Sequence, residues 1–539
     1  MKSKILLTLL AGAALGASAQ GFKDGVEYYR ADQPEEAAII INNNLNEAGI
    51  DQASAYYFLG QIALKNGNKT EARNYFDKGL GVNPDNGYNY IGLGALALAD
   101  GNASEASRYF KDAKSKAKKD PDVLTEIARA YFVADPVKYS DDITKALADA
   151  KKARKNAPAP FILEGDMLAD TNAGEAAGMY EMAAQFDTDQ THPEAYVKYA
   201  RTYFPVNATF AINKLKELLA QQPNSALAQR ELAEKYYDNN QLTMAAEQYE
   251  QYIKNPNSFK KDKQRLVGLL FFAKRYPESY NLAGEILKDD PANFYMQRLQ
   301  FYNKKAMGEN EAAKAAAETL FANPKAELNA QDYSQYGDLL QEMGQDTLAV
   351  AAFEEAVKID PKKTALLKDL SAAYNSAKMY EKAADTMQKY VDAMGEEVDP
   401  NDVFQLARRY QNLAITNMEG DQAAFDAAIA KAKATMDQVL ALVPDNPLVL
   451  NTASDIIRTG NKGEVDQAVI DADMKTLAVL DADPANKEKR ANIYRAIYSR
   501  LAPYYQKQKD IPTAKLYYEK YYEVDPSPEL RNFIDTQLK

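Results

Sequence analysis

The chain contains no cysteine, no tryptophan and a single histidine among its 539 residues. Without cysteine it can form no disulfide, thiolate metal site or cysteine nucleophile, and it has no thiol to accept a lipid. One histidine, His192, does not support a transition-metal site. No segment holds about 18 uninterrupted apolar residues, so the sequence predicts no membrane-spanning helix.

Motifs for the common catalytic chemistries are also missing. The sequence has no glycine-rich phosphate loop, no Gly-x-Ser-x-Gly elbow and no His-Glu-x-x-His helix. Paired carboxylates such as Glu354 and Glu355 fall where we expect a solvated face, and His192, before Pro193, is interpreted as a polar loop residue. We therefore expect no catalytic residue, no metal and no cofactor, and predict that the chain is not an enzyme.

Composition and charge point to a folded protein that does not bind nucleic acid. Hydrophobic residues make up 46% of the chain and charged residues 26%, which is typical of a packed structure. The formal net charge of -12 disfavours a polyanionic partner, since nucleic acids bind clustered lysine and arginine. At 539 residues the chain exceeds what one hydrophobic core fills, which leaves several domains or a repeat array.

Residues 1–19 are typical of a secretory leader. Lys2 and Lys4 are followed by the apolar stretch 5–15 and by a small-residue cleavage site at Ala17–Ala19. We expect the mature chain to begin at Gln20 and to be exported. Because no cysteine follows the leader, a periplasmic location fits best, with outer-membrane association or secretion left open.

Internal similarity is the strongest signal in the sequence. A 34-residue unit spans residues 53–86 and recurs at 330–363 and again from residue 364. Apolar and small residues occupy positions 4, 7, 8, 11, 20, 24, 27 and 32 of this unit. In residues 53–86 these are Tyr56, Leu59, Gly60, Ala63, Ala72, Phe76, Gly79 and Pro84.

Each of these positions has a physical reason. Positions 4, 7, 8 and 11 form one face of a helix, and positions 20, 24 and 27 form the matching face of a second helix. Small residues at positions 8 and 20, such as Gly60 with Ala72 and Gly337 with Ala349, allow a close helix crossing. Proline at position 32 ends the second helix. The pattern predicts an all-α chain of stacked helical hairpins.

This spacing resembles the tetratricopeptide repeat family. The resemblance implies a right-handed superhelical solenoid whose first helices line a concave groove for proteins or peptides. We expect about fourteen repeats over residues 20–526, with a terminal cap around Tyr28, insertions near residues 135–142 and 417–425, and a C-terminal capping helix at 527–539. The repeats are clearest at 53–120, 226–291, 330–400 and 495–526.

Position 12 of the first helices supplies candidate binding residues. This position is expected to turn toward the groove, and in successive repeats it forms a partial aromatic ladder that a residue at position 9 extends. Packing against the neighbouring repeat is the alternative role for these rings. The ladder consists of Phe132, Phe204, Tyr237, Phe271 and Phe301.

These features predict a non-catalytic protein-interaction scaffold of the bacterial envelope with a protein or peptide partner. A glycan-binding or import accessory protein of the outer membrane is one alternative, and a helical-toroid enzyme acting on glycans is another; the lack of tryptophan counts against both. Two basic runs, at residues 114–119 and 151–155, are expected to be solvated helix ends. If stacked into one patch, they would instead hold an acidic partner or lipid headgroups at the envelope.

Overall fold

The computed structural model describes residues 21–117, 119–483, 485 and 487–538. The expected leader therefore lies outside the described residues. The described residues form 29 α-helices and no β-strand, which confirms the prediction of an all-α repeat solenoid. The chain divides into two compact units, residues 1–291 and 292–539, called unit 1 and unit 2 below.

Unit 1 consists of helical hairpins in which an odd-numbered first helix pairs with the following even-numbered second helix. Its helices are α1 (21–30), α2 (Pro34–Asn44), α3 (Gln52–Lys65), α4 (Lys69–Val82), α5 (Gly87–Ala99), α6 (Ala103–Lys116), α7 (Pro121–Ala134), α8 (Ser140–Ala153), α9 (Pro158–Leu168), α10 (Ala173–Phe186), α11 (Glu194–Tyr203), α12 (Ala208–Gln221), α13 (Ala226–Asp238), α14 (Leu242–Tyr252), α15 (Lys260–Phe272) and α16 (Tyr276–Asp289).

Unit 2 continues the same arrangement and ends on a single helix. Its helices are α17 (Phe294–Ala306), α18 (Asn310–Phe321), α19 (Ala330–Glu342), α20 (Asp346–Ile359), α21 (Ala365–Ser376), α22 (Tyr380–Met394), α23 (Pro400–Asn417), α24 (Gln422–Leu442), α25 (Pro447–Gly460), α26 (Gln467–Asp481), α27 (Ala491–Lys507), α28 (Ile511–Val524) and α29 (Pro528–Gln537). Short 3₁₀ turns lie at Gly395–Glu397 and Glu488–Arg490.

Local sequence sets the helix ends. Asp51 caps α3 by accepting a hydrogen bond from the Ser54 backbone N–H, so one of the unpaired donors of the first turn is satisfied. The turn from α3 to α4 needs a left-handed residue, and Gly67 supplies it at φ 81°. Proline opens α7, α9 and α23, where its missing N–H costs nothing.

The glycine at position 8 of the repeat makes room for an aromatic ring. A Cβ at Gly60 would lie 2.3 Å from the ring of Phe76, and one at Gly337 would lie 2.7 Å from the ring of Phe353. Each ring is fully buried and belongs to position 24 of the same repeat. The small residue is thus required by the ring that fills the hairpin, a partner that the sequence pattern alone did not identify.

The extra residues near 417–425 do not form a long loop. They lengthen both helices of that hairpin, so that α23 has 18 residues and α24 has 21. Only residues 418–421 connect the two helices. The expected insertion here is therefore a longer hairpin.

The first hairpin, α1–α2, does more than cap its neighbour. Its residues contact the first helices of repeats that lie about two hundred positions later in the chain. Arg201 of α11 donates a hydrogen bond to the Ala31 carbonyl (2.6 Å), and Ser225, which caps α13, donates one to Glu27 (2.7 Å). The first hairpin therefore packs across the first-helix side of unit 1.

Among the described residues, no helix combines the length and the apolar character needed to cross a membrane.

Candidate functional site

Unit 1 contains a cavity of about 630 Å³ on the side formed by the first helices. Helices α3, α5, α7 and α9 supply most of its lining. Helix α1 forms a further wall, and the segment around His192 contributes charged groups. A volume of this size is in the range of known ligand pockets. It is the candidate site.

One wall of the cavity is aromatic. Tyr57 and Phe58 of α3 lie with ring centroids 5.1 Å apart, and Tyr57 lies 5.2 Å from Tyr88 of α5. Tyr29 of α1 adds a fourth ring, 5.1 Å from Phe58. Aromatic side chains lose few rotamers on binding and offer large, flat contact surfaces. The wall therefore provides an apolar contact surface with phenol groups at its edges.

His192 lies inside a charged cluster beside the cavity. Its Nδ1 is 2.9 Å from a Glu194 carboxylate oxygen and its Nε2 is 3.1 Å from Asp122, and the side chain is 2% exposed. Burial alone would lower the pKa of His192, but the two carboxylates raise it to about 9, so the ring is cationic at neutral pH. His192 does lie in the loop between α10 and α11, as the sequence predicts, but its side chain is buried and paired with two carboxylates, which the sequence did not predict.

Helix α1 sends Arg30 into the same cluster. Its guanidinium donates to the Thr191 carbonyl (3.2 Å) and lies 3.8 Å from the Glu194 carboxylate. Burial alone would raise the pKa of Glu194, but the charges of His192 and Arg30 hold it below its ordinary value. Within the part of the chain that the structure describes, Glu194 Oε2 accepts no hydrogen bond. An ionised carboxylate thus borders the cavity.

A second cluster lies where α7 faces α9. The Arg129 guanidinium donates to Glu126 (3.0 Å) and to Asp166 (2.6 Å), and Tyr57 of the aromatic wall donates to Glu126 (3.0 Å). Lys198 of α11 donates to Asp166 from the far side (2.8 Å). Of these groups, Tyr57, Glu126 and Arg129 line the cavity, so the lining presents a cation and a carboxylate beside the rings.

The position-12 series begins at the cavity and then leaves it. Leu64 and Leu98, which precede the aromatic members of the series, line the cavity. Phe132, the next member, is half-buried and packs against the core of unit 1. The cavity lining thus contains the aliphatic start of the series, and its rings come from other positions of the repeat.

Phe204, Tyr237 and Phe271 are half-buried in later repeats of unit 1. Lys235 of α13 lies 4.7 Å from the Phe204 ring centroid, and Arg265 of α15 lies 4.1 Å from that of Tyr237. These cation–π contacts join consecutive first helices. The remaining exposed part of each ring keeps partner binding open, so the role of these three residues stays a prediction.

Phe301 differs from the other ladder residues. Its side chain is 0% exposed and lies in a cluster of unit 2, with ring centroids 5.2 Å from Tyr302 and 6.4 Å from Tyr336. A side chain without exposed surface has none to offer a partner in this conformation. Its place in the described structure is the core of the hairpin.

The basic runs are tied to the acidic residues of neighbouring hairpins. Lys114 lies 3.0 Å from Asp149, and Arg154 lies 3.3 Å from Asp189. Lys118 falls outside the described residues. These exposed pairs contribute little to stability, but they leave less free positive charge than the sequence alone indicates.

Sequence reasoning missed the groups at positions 2, 5, 6 and 9 of the first helices. Tyr88 and Asp122 occupy position 2 of the repeats that begin at residues 87 and 121, and Glu126 and Arg129 occupy positions 6 and 9 of the latter. The sequence does contain a signal for Glu126 and Arg129, because charged residues at positions 6 and 9 lie outside the helix face that packs within the hairpin. The contribution of Arg30 had no such signal, because it depends on where α1 packs.

Comparison with protein families identifies two segments of the chain. The tetratricopeptide repeat model matches residues 53–86 and 333–363. These correspond to hairpins α3–α4 and α19–α20, one in each unit. A search of the curated proteins gives no match.

Solved structures with similar folds share little sequence with the chain. The C-terminal part of a TPR repeat-containing protein from Cytophaga hutchinsonii is 17% identical, covers 50% of this chain and 98% of its own, and has a TM-score of 0.40. YrrB, described as a TPR protein with an unusual peptide-binding site, is 16% identical, with 38% and 98% covered and a TM-score of 0.31. A human IFIT1 dimer with PPP-AAAA is 15% identical, with 84% and 95% covered and a TM-score of 0.30. Sequence identities and TM-scores this low say nothing about the partner or the activity of this chain.

The repeat spacing, the hairpins and the family match agree with one another. Position 8 is small, position 24 is a buried ring, and proline follows the second helix in each of the two matched segments. Residues 53–86 and 333–363 are therefore tetratricopeptide repeats.

Proposed function

We propose that the chain is a protein-interaction scaffold that binds an extended segment of a partner protein in the cavity of unit 1. Tetratricopeptide repeats serve in general as protein-interaction scaffolds. The lining of the cavity supports this docking position, because it combines four aromatic rings with cations and carboxylates. Rings fit apolar side chains, and paired charges fit the donors and acceptors of a peptide backbone.

The chemistry of the lining favours a peptide over a polyanion. A nucleic acid would need a surplus of unpaired cations, whereas Arg129 is held by Glu126 and Asp166. The net charge of -12 acts in the same direction. A protein segment needs no such surplus, because its backbone groups are neutral.

Two exposed valines allow a matched test. Val133 lines the cavity and is 78% exposed, whereas Val137, in the turn after the same helix, is 85% exposed and lies outside the lining. Val133→Arg places a long charged side chain at the cavity and should reduce capture of the partner from envelope extract at least about tenfold. Val137→Arg should leave capture unchanged. Equal capture by both variants would reject the cavity as the docking position.

We further propose that the chain works in the bacterial periplasm. The basic start, apolar stretch and small-residue site of residues 1–19 support export. Sequencing the N-terminus of protein released by osmotic shock should then find Gln20 or its cyclised form. Recovery of Met1 on the released protein would contradict export through this leader.

A further inference from the structure

The first hairpin, α1–α2, occupies a surface that the later repeats of unit 1 share. Tyr28 of α1 is fully buried, and its ring packs edge-on against Phe259, 5.5 Å away at the start of α15. Gln33 donates to Glu231 (2.9 Å) and accepts from Arg230 (3.0 Å), both on α13. The contacted side chains come from successive first helices, so the hairpin lies on the face that these helices form together.

The hairpin is acidic, and two lysines of the face pair with its carboxylates. Lys198 of α11 donates to Asp32 (2.5 Å), and Lys261 of α15 donates to Glu36 (2.7 Å). Arg201 of α11 donates to the Ala31 carbonyl, which closes the turn between α1 and α2. The Lys198–Asp32 and Lys261–Glu36 pairs thus set two carboxylates of the hairpin against two cations of the face.

The hairpin is a self-paired element on a short tether. Gly25 of α1 lies so close to α2 that a Cβ there would be 2.6 Å from the Ile41 side chain. Residues 45–51 then connect α2 to α3. Because α1 and α2 pack on each other, they can leave the face together while the tether keeps them attached.

The covering contact also contains a group that is poorly suited to permanent burial. Glu27 is 2% exposed, and its Oε1 accepts no hydrogen bond in the described part of the chain. Unpaired buried polar atoms weaken a contact, since each loses its bonds to water. Such an interface suits an occupant that can be exchanged.

We propose that the face formed by α11, α13 and α15 is a docking surface for an acidic amphipathic helix, and that α1–α2 is its resident occupant. A partner helix would bind by displacing the hairpin, with an aromatic side chain in the place of Tyr28 and carboxylates opposite Lys198 and Lys261. This inference rests on the proposed scaffold function and adds the chemistry of a second partner segment.

The test uses a variant of the full chain in which α1–α2 is released while the face formed by α11, α13 and α15 is unchanged. The release variant carries Tyr28→Ala, Asp32→Lys and Glu36→Lys, which remove the ring and reverse two of the ion pairs. The control variant carries Glu35→Lys and Glu47→Lys, which make the same change in net charge at exposed positions. The probe is a fluorescein-labelled synthetic peptide with the sequence of residues 21–44, followed by fluorescence anisotropy.

The release variant should bind the peptide at least about tenfold more tightly than the unmodified chain and the control variant, because only its face is open. Adding Arg201→Glu and Arg230→Glu to the release variant should abolish this binding. Equal anisotropy for all three chains, with helical circular dichroism retained, would overturn the proposal. A release variant that forms concentration-dependent dimers would assign the face to a second copy and would also overturn it.

Hydrogen exchange of the unmodified chain keeps the test decisive if the release variant misfolds. Amides of residues 21–44 should exchange through a local opening, faster than those of α11 and α13. Exchange at the same rate in both regions would mean that the hairpin leaves only when unit 1 unfolds, which contradicts the proposal. Neither measurement involves the natural partner. If Val133→Arg leaves partner capture unchanged, that result rejects docking in the cavity and has no bearing on the docking surface proposed here.

Discussion

The buried carboxyl of Glu27 should make the free energy of unfolding of unit 1 depend on pH. Burial, reinforced by the charge of Asp24, raises the pKa of Glu27 from 4.5 to about 8. The folded state therefore binds a proton between pH 4.5 and 8 that the unfolded state lacks. The contribution of the protonated Glu27 carboxyl to the free energy of unfolding is therefore fully present below pH 4.5 and is lost as the pH rises to 8.

Replacing Glu27 by glutamine removes this cost. At pH 7 the folded state must keep the carboxyl protonated 2.5 units above its unfolded pKa, which costs about 3 kcal/mol at 1.36 kcal/mol per unit. Glutamine keeps an oxygen for the Ser225 hydroxyl, which donates to Glu27 in the unmodified chain. Glu27→Gln should therefore stabilise unit 1 by about 3 kcal/mol at pH 7 and by almost nothing at pH 4.5.

Native-state hydrogen exchange of α13, corrected for the intrinsic pH dependence of exchange, measures this difference. Glu47→Gln, at an exposed site between α2 and α3, is the matched control and should change nothing. The reasoning is refuted if Glu27→Gln has the same effect at pH 4.5 and pH 7. That result would mean that Glu27 is already ionised in the folded chain at pH 4.5.

Three further changes follow from the structure. His192→Gln removes the cation between the buried Glu194 and the half-buried Asp122 and should cost about 3 kcal/mol at pH 6, measured by exchange in α7; since the pKa of His192 is raised from 6.5 to about 9, the loss should shrink as the pH rises through 9. Gly337→Leu should clash with the Phe353 ring and cost about 1–3 kcal/mol, with lost protection confined to neighbouring hairpins of unit 2; uniform loss from residue 30 to residue 530 would contradict the repeat architecture. Truncating Phe204 and Tyr237 to alanine should weaken partner capture by about 2 kcal/mol with the melting temperature unchanged, whereas a large fall in melting temperature with unchanged capture would assign both rings to packing between repeats.

The hairpins could be predicted from the sequence because repeat contacts are local. Each first helix packs on the second helix of its own repeat and on its nearest neighbours, so the spacing predicts which helices pair and that Gly60 lies at a close crossing, although the Phe76 ring opposite it is known only from the structure. Turn residues such as Gly67 mark where one helix ends and the next begins. The same local rules predict the hairpins of both units.

The site could be predicted only in part, because two of its components depend on distant contacts. Arg30 meets the Thr191 carbonyl across 161 positions, and no periodic pattern records such a pairing. His192 reads as a loop residue until Asp122 and Glu194 are placed on either side of it. The sequence predicts groove-lining rings at position 12, whereas the cavity takes its rings from positions 2, 5 and 6 and from α1.

Site-specific photo-crosslinking tests the central claim, that a partner segment docks in the cavity of unit 1, most directly. The photoreactive residue p-benzoylphenylalanine would replace Gln61, which lines the cavity, or Arg108, which is 65% exposed on the second helix α6. Irradiation in the producing cells should give a reproducible protein adduct from position 61 and none from position 108. Adducts from position 108 of the same partner, with none from position 61, would contradict the account.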